Sequence, residues 1–406
     1  MPPVPDLQAR APATPSVSGP IVALLAVACG LAVANLYYAQ PLLHLLAANF
    51  STSSALMATV VTVTQVGYAA GLLLLLPLGD LLERRRMVAV VLVVAGAALG
   101  GAALSGSLVM FEIFSLFLGT ASVVAQVLIP LAADLASDKR RGRVVGTVMS
   151  GLLMGILLAR TASGLLAAWV GWRAVYVIAA VVMLVLALAL RMLLPEDPTS
   201  SELSYLGLLR SAARLALEQP VLRQRAVLGG LAFAAFSAIW TTLAFLLSGA
   251  PYHYSIGVIG LFGLVGAAGA LCASFAGRLA DRGWAHPASI GFAIVVAVSF
   301  VLMLLGRTSL VFLLAGIVVL DVGVQGLGIT NQSLIYRLQD GARSRLNSVY
   351  MTTYFVGGAA GSGLAGVIFS RFGWAGVCSL GFIISAALIA VAAQHPGSGS
   401  PALDQV

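Results

Sequence analysis

Between residues 21 and 393 the chain is a series of apolar runs, each about twenty residues or longer, parted by short polar intervals. They fall near 21–46, 55–79, 87–106, 108–133, 144–169 and 173–192, then near 226–249, 254–279, 288–306, 309–334, 346–369 and 374–393. An α-helix crosses the ~30 Å hydrocarbon layer of a bilayer in about 20 residues. Only helices and closed barrels satisfy every backbone hydrogen bond inside lipid, and continuous glycine-containing runs lack the alternation of a barrel strand. A water-soluble domain carries about 25% charged residues; this chain carries 9%, against 60% hydrophobic residues. The expected fold is an all-α membrane protein with 12 transmembrane helices.

The longest polar interval, Arg191 to Arg225, has Pro195-Glu196-Asp197-Pro198-Thr199-Ser200-Ser201 at its core and splits the runs six and six. This is turn and linker chemistry. The second half overlays the first at a shift of 202 residues. Asp138 meets Asp340, Arg141 and Arg143 meet Arg343 and Arg345, Gly155 and Gly164 meet Gly357 and Gly366, and Gly171-Trp172 meets Gly373-Trp374. At a shift of 201, Asp80 meets Asp281. Two pseudo-symmetric six-helix bundles follow, at 20–192 and 226–393. A cytoplasmic linker over 193–225 joins them, and 1–19 and 394–406 are tails. The expectation for 1–19, rich in Pro, Ala and Ser, is a disordered tail with no cleavable leader. Ser201 to Glu218 reads as a surface helix, with Leu203, Leu206, Leu209, Ala213 and Leu217 able to share one side.

Twelve crossings put both termini on one side. Eighteen of the twenty-two Lys and Arg residues fall on that side, and only Arg173, Arg307 and Arg371 on the other. Basic residues stay cytoplasmic, so both termini are expected in the cytoplasm of a bacterial inner-membrane protein. The formal charge of +8 is then a topology signal, and no nucleic-acid partner is implied. Cys29, Cys272 and Cys378 lie inside apolar runs, which suits small apolar filler better than a disulfide framework or metal cluster. No metal or other cofactor is expected.

Hydrophilic side chains at helical spacing pick out four spans. Span four carries Glu112, Ser115, Gly119, Ser122 and Gln126; span ten carries Asp321, Gln325, Gly328 and Gln332 with Asn331 beside them. Span one offers Asn35, Tyr37, Tyr38, Gln40 and His44, and span seven Ser237, Trp240, Thr241 and Ser248. Asp321 and Arg160 are the sharpest signals, lying ~18 Å and ~14 Å deep at 1.5 Å per residue. A lone charge at that depth costs roughly 3 kcal/mol, so each needs a partner, water or a function. Arg160 can pair with Glu112 within the first bundle or with Asp321 across the seam. Asn35, Tyr38, Gln40, Gln126, Trp240, Thr241, Gln325, Asn331 and Gln332 are the candidate cavity residues, and Asp321, Arg160 and Glu112 the candidate charge set. Pro41 is expected to kink span one beside Gln40.

Leu76-Pro77-Leu78-Gly79-Asp80-Leu81-Leu82-Glu83-Arg84-Arg85-Arg86 and Gly277-Arg278-Leu279-Ala280-Asp281-Arg282 resemble the loop signature Gly-x-Leu-Ala-Asp-Arg-x-Gly-Arg-Arg of the major facilitator superfamily. Asp80, Arg84 and Arg85 match in the first copy; the second matches better at its start and lacks the final Arg pair. Asn35-Leu36-Tyr37-Tyr38-Ala39-Gln40-Pro41 resembles span one of bacterial drug and sugar efflux members. Gly151 and Gly155 match the glycines of the span-five antiporter signature, whose proline is absent, while Arg160 stands at its end. The usual span-four Arg is replaced, with Ser115 in its approximate place.

The resemblance implies the major facilitator fold and a cavity lined by spans one, four, seven and ten. It also implies a cytoplasmic gate at Asp80, Arg84, Arg85 and Asp281. The leading expectation is a monomeric secondary transporter, not an enzyme, that exports small organic molecules with proton coupling through Asp321. The alternatives are an importer or uniporter of a sugar-like or acidic solute and, more remotely, a polytopic membrane enzyme. No cluster of nucleophiles or His and Asp at one membrane face supports the last.

Overall fold

The computed structural model describes residues 18–137, 140–195, 204–266, 284–339 and 343–394, excepting the side chain of Asp80. Most of both tails, part of the linker, Cys272, the pair Asp138 and Asp340, and the whole second loop signature with Asp281 lie outside the described residues. Among the described residues nine helices are long and apolar enough to cross a membrane. They are Ser54–Leu74, Arg84–Ala103, Leu108–Asp134, Arg141–Val170, Trp172–Leu193, Pro220–Ser248, Ala285–Leu305, Leu310–Ile335 and Arg343–Ala393. The last, of 51 residues, holds spans eleven and twelve, bent at Gly373. Span one begins as Gly19–Ala34, and span eight is described over Ile256–Val265. No described residue is in a strand.

The Gly-Trp repeat has a structural cause in both halves. Gly171 (φ 84°, ψ 160°) ends span five, and Gly373 (φ 61°, ψ −157°) ends span eleven. This backbone region is essentially confined to glycine. Each turn aims the following Trp inward. Trp172 is buried against Phe50, Phe111 and Tyr176, and Trp374 donates its indole N–H to the Met303 carbonyl at 2.7 Å.

Span one breaks where Pro41 requires it, but over a longer stretch than a kink. The helix stops at Ala34, turns through residues 35–39, makes a 3-10 turn at Gln40–Leu42 and resumes over Leu43–Asn49. Pro41 has no N–H for the residue-37 carbonyl, and its ring crowds that group. Span four is also interrupted, at Ser122–Val123 between Leu108–Ala121 and Val124–Asp134.

Glycines set the closest crossings, and most lie inside a bundle. A Cβ on Gly155 would stand 2.0 Å from the Gly30 carbonyl oxygen of span one. Its repeat mate Gly357 would meet the Gly230 carbonyl oxygen of span seven at 2.1 Å. Gly67 and Gly71 meet span four at the Leu116 and Thr120 carbonyls. These small-residue faces are therefore bundle packing, as expected in lipid, and the seam uses other contacts.

The linker helix, Tyr205–Glu218, starts with the Ser204 hydroxyl accepting from Gly207 N–H. The expected apolar row is not the one that packs. Leu206, Ala213 and Leu217 are exposed, whereas Leu208, Ala212 and Leu215 are buried. The helix straddles the seam: Tyr205 donates to the Leu74 carbonyl of span two at 3.0 Å, and Ser211 accepts from Arg345 of span eleven.

Candidate functional site

The two bundles meet along spans two and eleven. Thr62 and Ser362 share a hydrogen bond at 2.8 Å, Tyr68 packs on Phe355 with centroids 4.2 Å apart, and Ser348 donates to the Leu72 carbonyl at 3.2 Å. Gln65 of span two donates to Ser237 of span seven at 2.8 Å. On the other side of the seam, spans five and eight touch at the end away from the basic loops. A Cβ on Gly164 would lie 2.7 Å from Gly260 Cα, and Thr161 donates to the Gly260 carbonyl at 3.0 Å. Towards the basic face span five instead exposes Arg143, Thr147 and Ser150, residues of one helical row.

Arg160 lies beside that closed end and is 3% exposed. Its Nε donates to Gln40 Oε1 at 2.6 Å, and Nη1 reaches the Ile156 carbonyl of its own helix at 3.5 Å. The guanidinium carbon sits 4.0 Å from the Trp240 ring centroid, 4.5 Å from Tyr37 and 5.6 Å from Phe236. The broken span one positions Gln40 and Tyr37, and span seven supplies Phe236 and Trp240. Aromatic faces attract a cation, by about 2 kcal/mol or more when desolvated. They therefore offset part of the burial penalty that lipid imposes.

Asp321 of span ten is also 3% exposed. It lies within electrostatic range of Arg160, with Trp240 close enough to act on it. The two charges form no ion pair within 4 Å, and Arg160 Nη2, Asp321 Oδ2 and Trp240 Nε1 all lack hydrogen-bond partners. The described part of span eight intervenes through glycines. A Cβ on Gly263 would stand 2.8 Å from Arg160 Cβ, and one on Gly266 would stand 2.7 Å from Asp321 Oδ2. Bulk at either position would press on one of the charged side chains.

The other candidates divide. Glu112 does not meet Arg160; it accepts a hydrogen bond from Thr59 of span two. Gln126 is at the seam, accepting from Asn347 at 3.4 Å and donating to the Tyr68 hydroxyl at 3.3 Å. Asn35 turns into the first bundle, where its Nδ2 meets Met183 Sδ at 3.5 Å, and Tyr38 neighbours Tyr176 there. Thr241 and Asn331 are fully buried with unpartnered side-chain atoms, while Gln325 and Gln332 are half-buried on span ten. Arg84 pairs with Asp134 at 2.7 Å and donates to the Gly79 carbonyl at 3.1 Å. Arg85 pairs with Glu83 at 3.0 Å and donates to the Leu194 carbonyl at 3.2 Å. These contacts tie together the loop ends of the first bundle.

Arg225, one of the basic residues counted to the cytoplasmic side, is 3% exposed and donates to Ser289 at 2.8 Å. Sequence reasoning left Gln65 and Phe236 off the site. Gln65 carried a readable signal, an amide in an apolar run; Phe236 carried none.

Two helical bundles in lipid, with opposite charges buried where they meet, define a membrane transporter. The comparisons make the class specific. The family model of the Major Facilitator Superfamily matches residues 22–343, and the chain belongs to that family. It is 49% identical over 369 residues to the uncharacterized transporter YgaY of Escherichia coli O157:H7, covering 91% of this chain and 94% of that one. It is 36% identical over 386 residues to the "Probable transporter SCO4007" of Streptomyces coelicolor, covering 93% and 90%. Among solved structures it resembles a bacterial homolog of the human lysosomal transporter Spinster, in an inward-facing, unoccupied conformation. That match has a TM-score of 0.72 at 14% identity, over 93% of this chain and 95% of that one. The nucleoside transporter NupG matches with a TM-score of 0.73 at 14% identity, over 91% and 98%. These two likenesses establish the fold.

Proposed function

We propose that this chain is a proton-coupled secondary transporter that exports small organic molecules by alternating access. In this reading Asp321 carries the proton and Arg160 is its charge partner. One observation carries it: a carboxylate and a guanidinium, each 3% exposed, belong to opposite bundles and are not joined. An unjoined pair can change its separation and protonation as the bundles rock, whereas a purely structural pair gains from closing. The export direction follows the span-one resemblance. The basic face is read as cytoplasmic, with both termini there, in a bacterial inner membrane. Asp80, Arg84, Arg85 and Asp281 are read as its gate. The cavity uses Gln40, Gln126, Trp240, Thr241, Gln325, Asn331 and Gln332, and the working unit is a monomer.

Asp321→Asn keeps the shape and removes the titration. In vesicles under an imposed pH gradient, the variant is expected to insert normally and to lose gradient-coupled transport. Undiminished coupling in the variant would remove Asp321 from the mechanism. Glu112→Gln, which alters only the Thr59 contact, is expected to retain coupling in the same assay. Its loss would restore Glu112 to the charge set.

A further inference from the structure

Arg160 has five N–H donors, and its surroundings use only part of them. Gln40 takes Nε, a long contact to Ile156 takes one N–H of Nη1, and Nη2 has no partner. Trp240, Tyr37 and Phe236 cover the guanidinium through their rings, so they satisfy its charge without filling its hydrogen-bonding edge. No described carboxylate lies within 4 Å of it. A cleft bordered by Gln40, Pro41, Trp240, Leu243 and Ile259 runs beside it. A planar fork with a free edge matches a carboxylate. The cleft, about 10 Å³, has room for about one water, so it admits an organic body only once the helices around it part.

Charge balance extends this. The centre holds Arg160 and Asp321, one charge of each sign. An organic anion arriving alone makes the centre negative, and a proton arriving alone makes it positive. Either net charge in low dielectric costs several kcal/mol. An anion with a proton on Asp321 leaves the centre neutral. Asp321 and an anion also compete for the same guanidinium, so neutralising Asp321 strengthens anion binding, and the linkage is reciprocal. Among the described residues, Tyr37 of span one and Tyr354 of span eleven are the other titratable groups facing the pair. Phenols have an unperturbed pKa near 10 and stay neutral across the range tested. The described parts of spans seven and eight add no titratable group there.

We propose that the transported molecule is a small organic carboxylate, held by the free edge of Arg160, and that it crosses together with one proton on Asp321. This rests on the reading of Asp321 as the proton carrier. The coupling is then cotransport: export runs down the anion's own gradient, and the proton leaves beside it.

The test uses the purified full-length protein with benzoate, phenylpropionate and succinate as anions, benzamidinium as cation and benzamide as neutral analogue. Binding is read as a shift in melting temperature. At least one carboxylate is expected to bind wild type about tenfold more tightly at pH 5.5 than at pH 8, the ratio that competition for one buried charge produces. Asp321→Asn is expected to show the tighter value at both pH values. Arg160→Lys, which keeps the charge and loses the fork, is expected to weaken binding about tenfold. In vesicles loaded with the bound anion, its exit through wild type is expected to raise luminal pH relative to protein-free vesicles. Stabilisation by benzamidinium or benzamide but no carboxylate would overturn the substrate class. Carboxylate binding undiminished in Arg160→Lys would overturn the site. Luminal acidification on substrate exit would overturn cotransport while leaving proton coupling intact. If no compound's gradient moves protons through wild type, the underlying proton-coupled reading fails instead.

Discussion

Gly260→Leu is expected to abolish transport while leaving the protein inserted and folded. Gly260 is where spans five and eight come closest at the end away from the basic loops. A Cβ there would stand 2.9 Å from Gly164 Cα and 3.0 Å from the Arg160 carbonyl oxygen. Both neighbours are backbone, so neither can swing aside, and a leucine cannot fit without parting the helices. Within each bundle, packing rests on other crossings. The substitution therefore acts on the seam, and alternation between two packed arrangements is what rocking requires. The expected state is open at this end. Leu243, 2% exposed beside the cleft next to Arg160, supplies the reporter. A cysteine placed there should be protected from a membrane-impermeant maleimide in the parent and should react in Gly260→Leu. Continued protection together with continued transport would mean that this contact is no gate. Gly260→Ala should fall between the two, since its one methyl meets the Gly164 Cα at 2.9 Å but carries no further bulk into the crossing.

Such a gate was not visible in the chain as letters, and the reason is general. The apolar runs, the central seam and the repeat are one-dimensional features, set by lipid thickness and duplication, and the described helices follow the apolar runs with small shifts. Asp321 and Arg160 were also legible, because a charge in a long apolar run is rare and costly. Which helix a glycine faces is a three-dimensional fact. Gly67, Gly151 and Gly357 sit in apolar runs just as Gly164, Gly260 and Gly366 do, yet the first three pack inside a bundle while the others meet the opposite bundle across the seam.

The cavity list failed in part for a related reason. Helical spacing assumes an unbroken 3.6-residue register, and span one loses its register between Ala34 and Leu43. Gln40 lands on Arg160, but Asn35 and Tyr38 turn towards Met183 and Tyr176 of span six. The linker misled differently: it carries two apolar rows, and only one of them packs. Phe236 was unreadable because an aromatic residue in an apolar run is ordinary there. Its role depends on a cation that another helix, 76 positions earlier in the chain, brings to its face.

The largest stability effects should come from the paired intra-bundle crossings. Gly155→Val and Gly357→Val are each expected to cut the amount of folded protein severely, and by similar factors. The two positions are repeat mates and do the same job. A Cβ at Gly155 would overlap the Gly30 carbonyl at 2.0 Å, and one at Gly357 the Gly230 carbonyl at 2.1 Å. Each obstacle is a helix backbone, so relief requires span one to move off span five, or span seven off span eleven. In lipid, helix association depends on close packing because the solvent is as apolar as the side chains. Separating the axes therefore forfeits contacts along the whole crossing. Overpacking a core costs about 1–3 kcal/mol, occasionally more, and a backbone obstacle belongs at the upper end. The measurement is the monodisperse yield and thermal half-life of each variant in detergent. Gly142, where an added Cβ would meet nothing within 4 Å, serves as the control and should tolerate Val. The comparison also bears on the duplication itself. If Gly155→Val destroys the protein and Gly357→Val does not, the halves have ceased to be mechanically equivalent. A rocking scheme with two rigid arms would then have to give way to one in which only the first bundle is stiff.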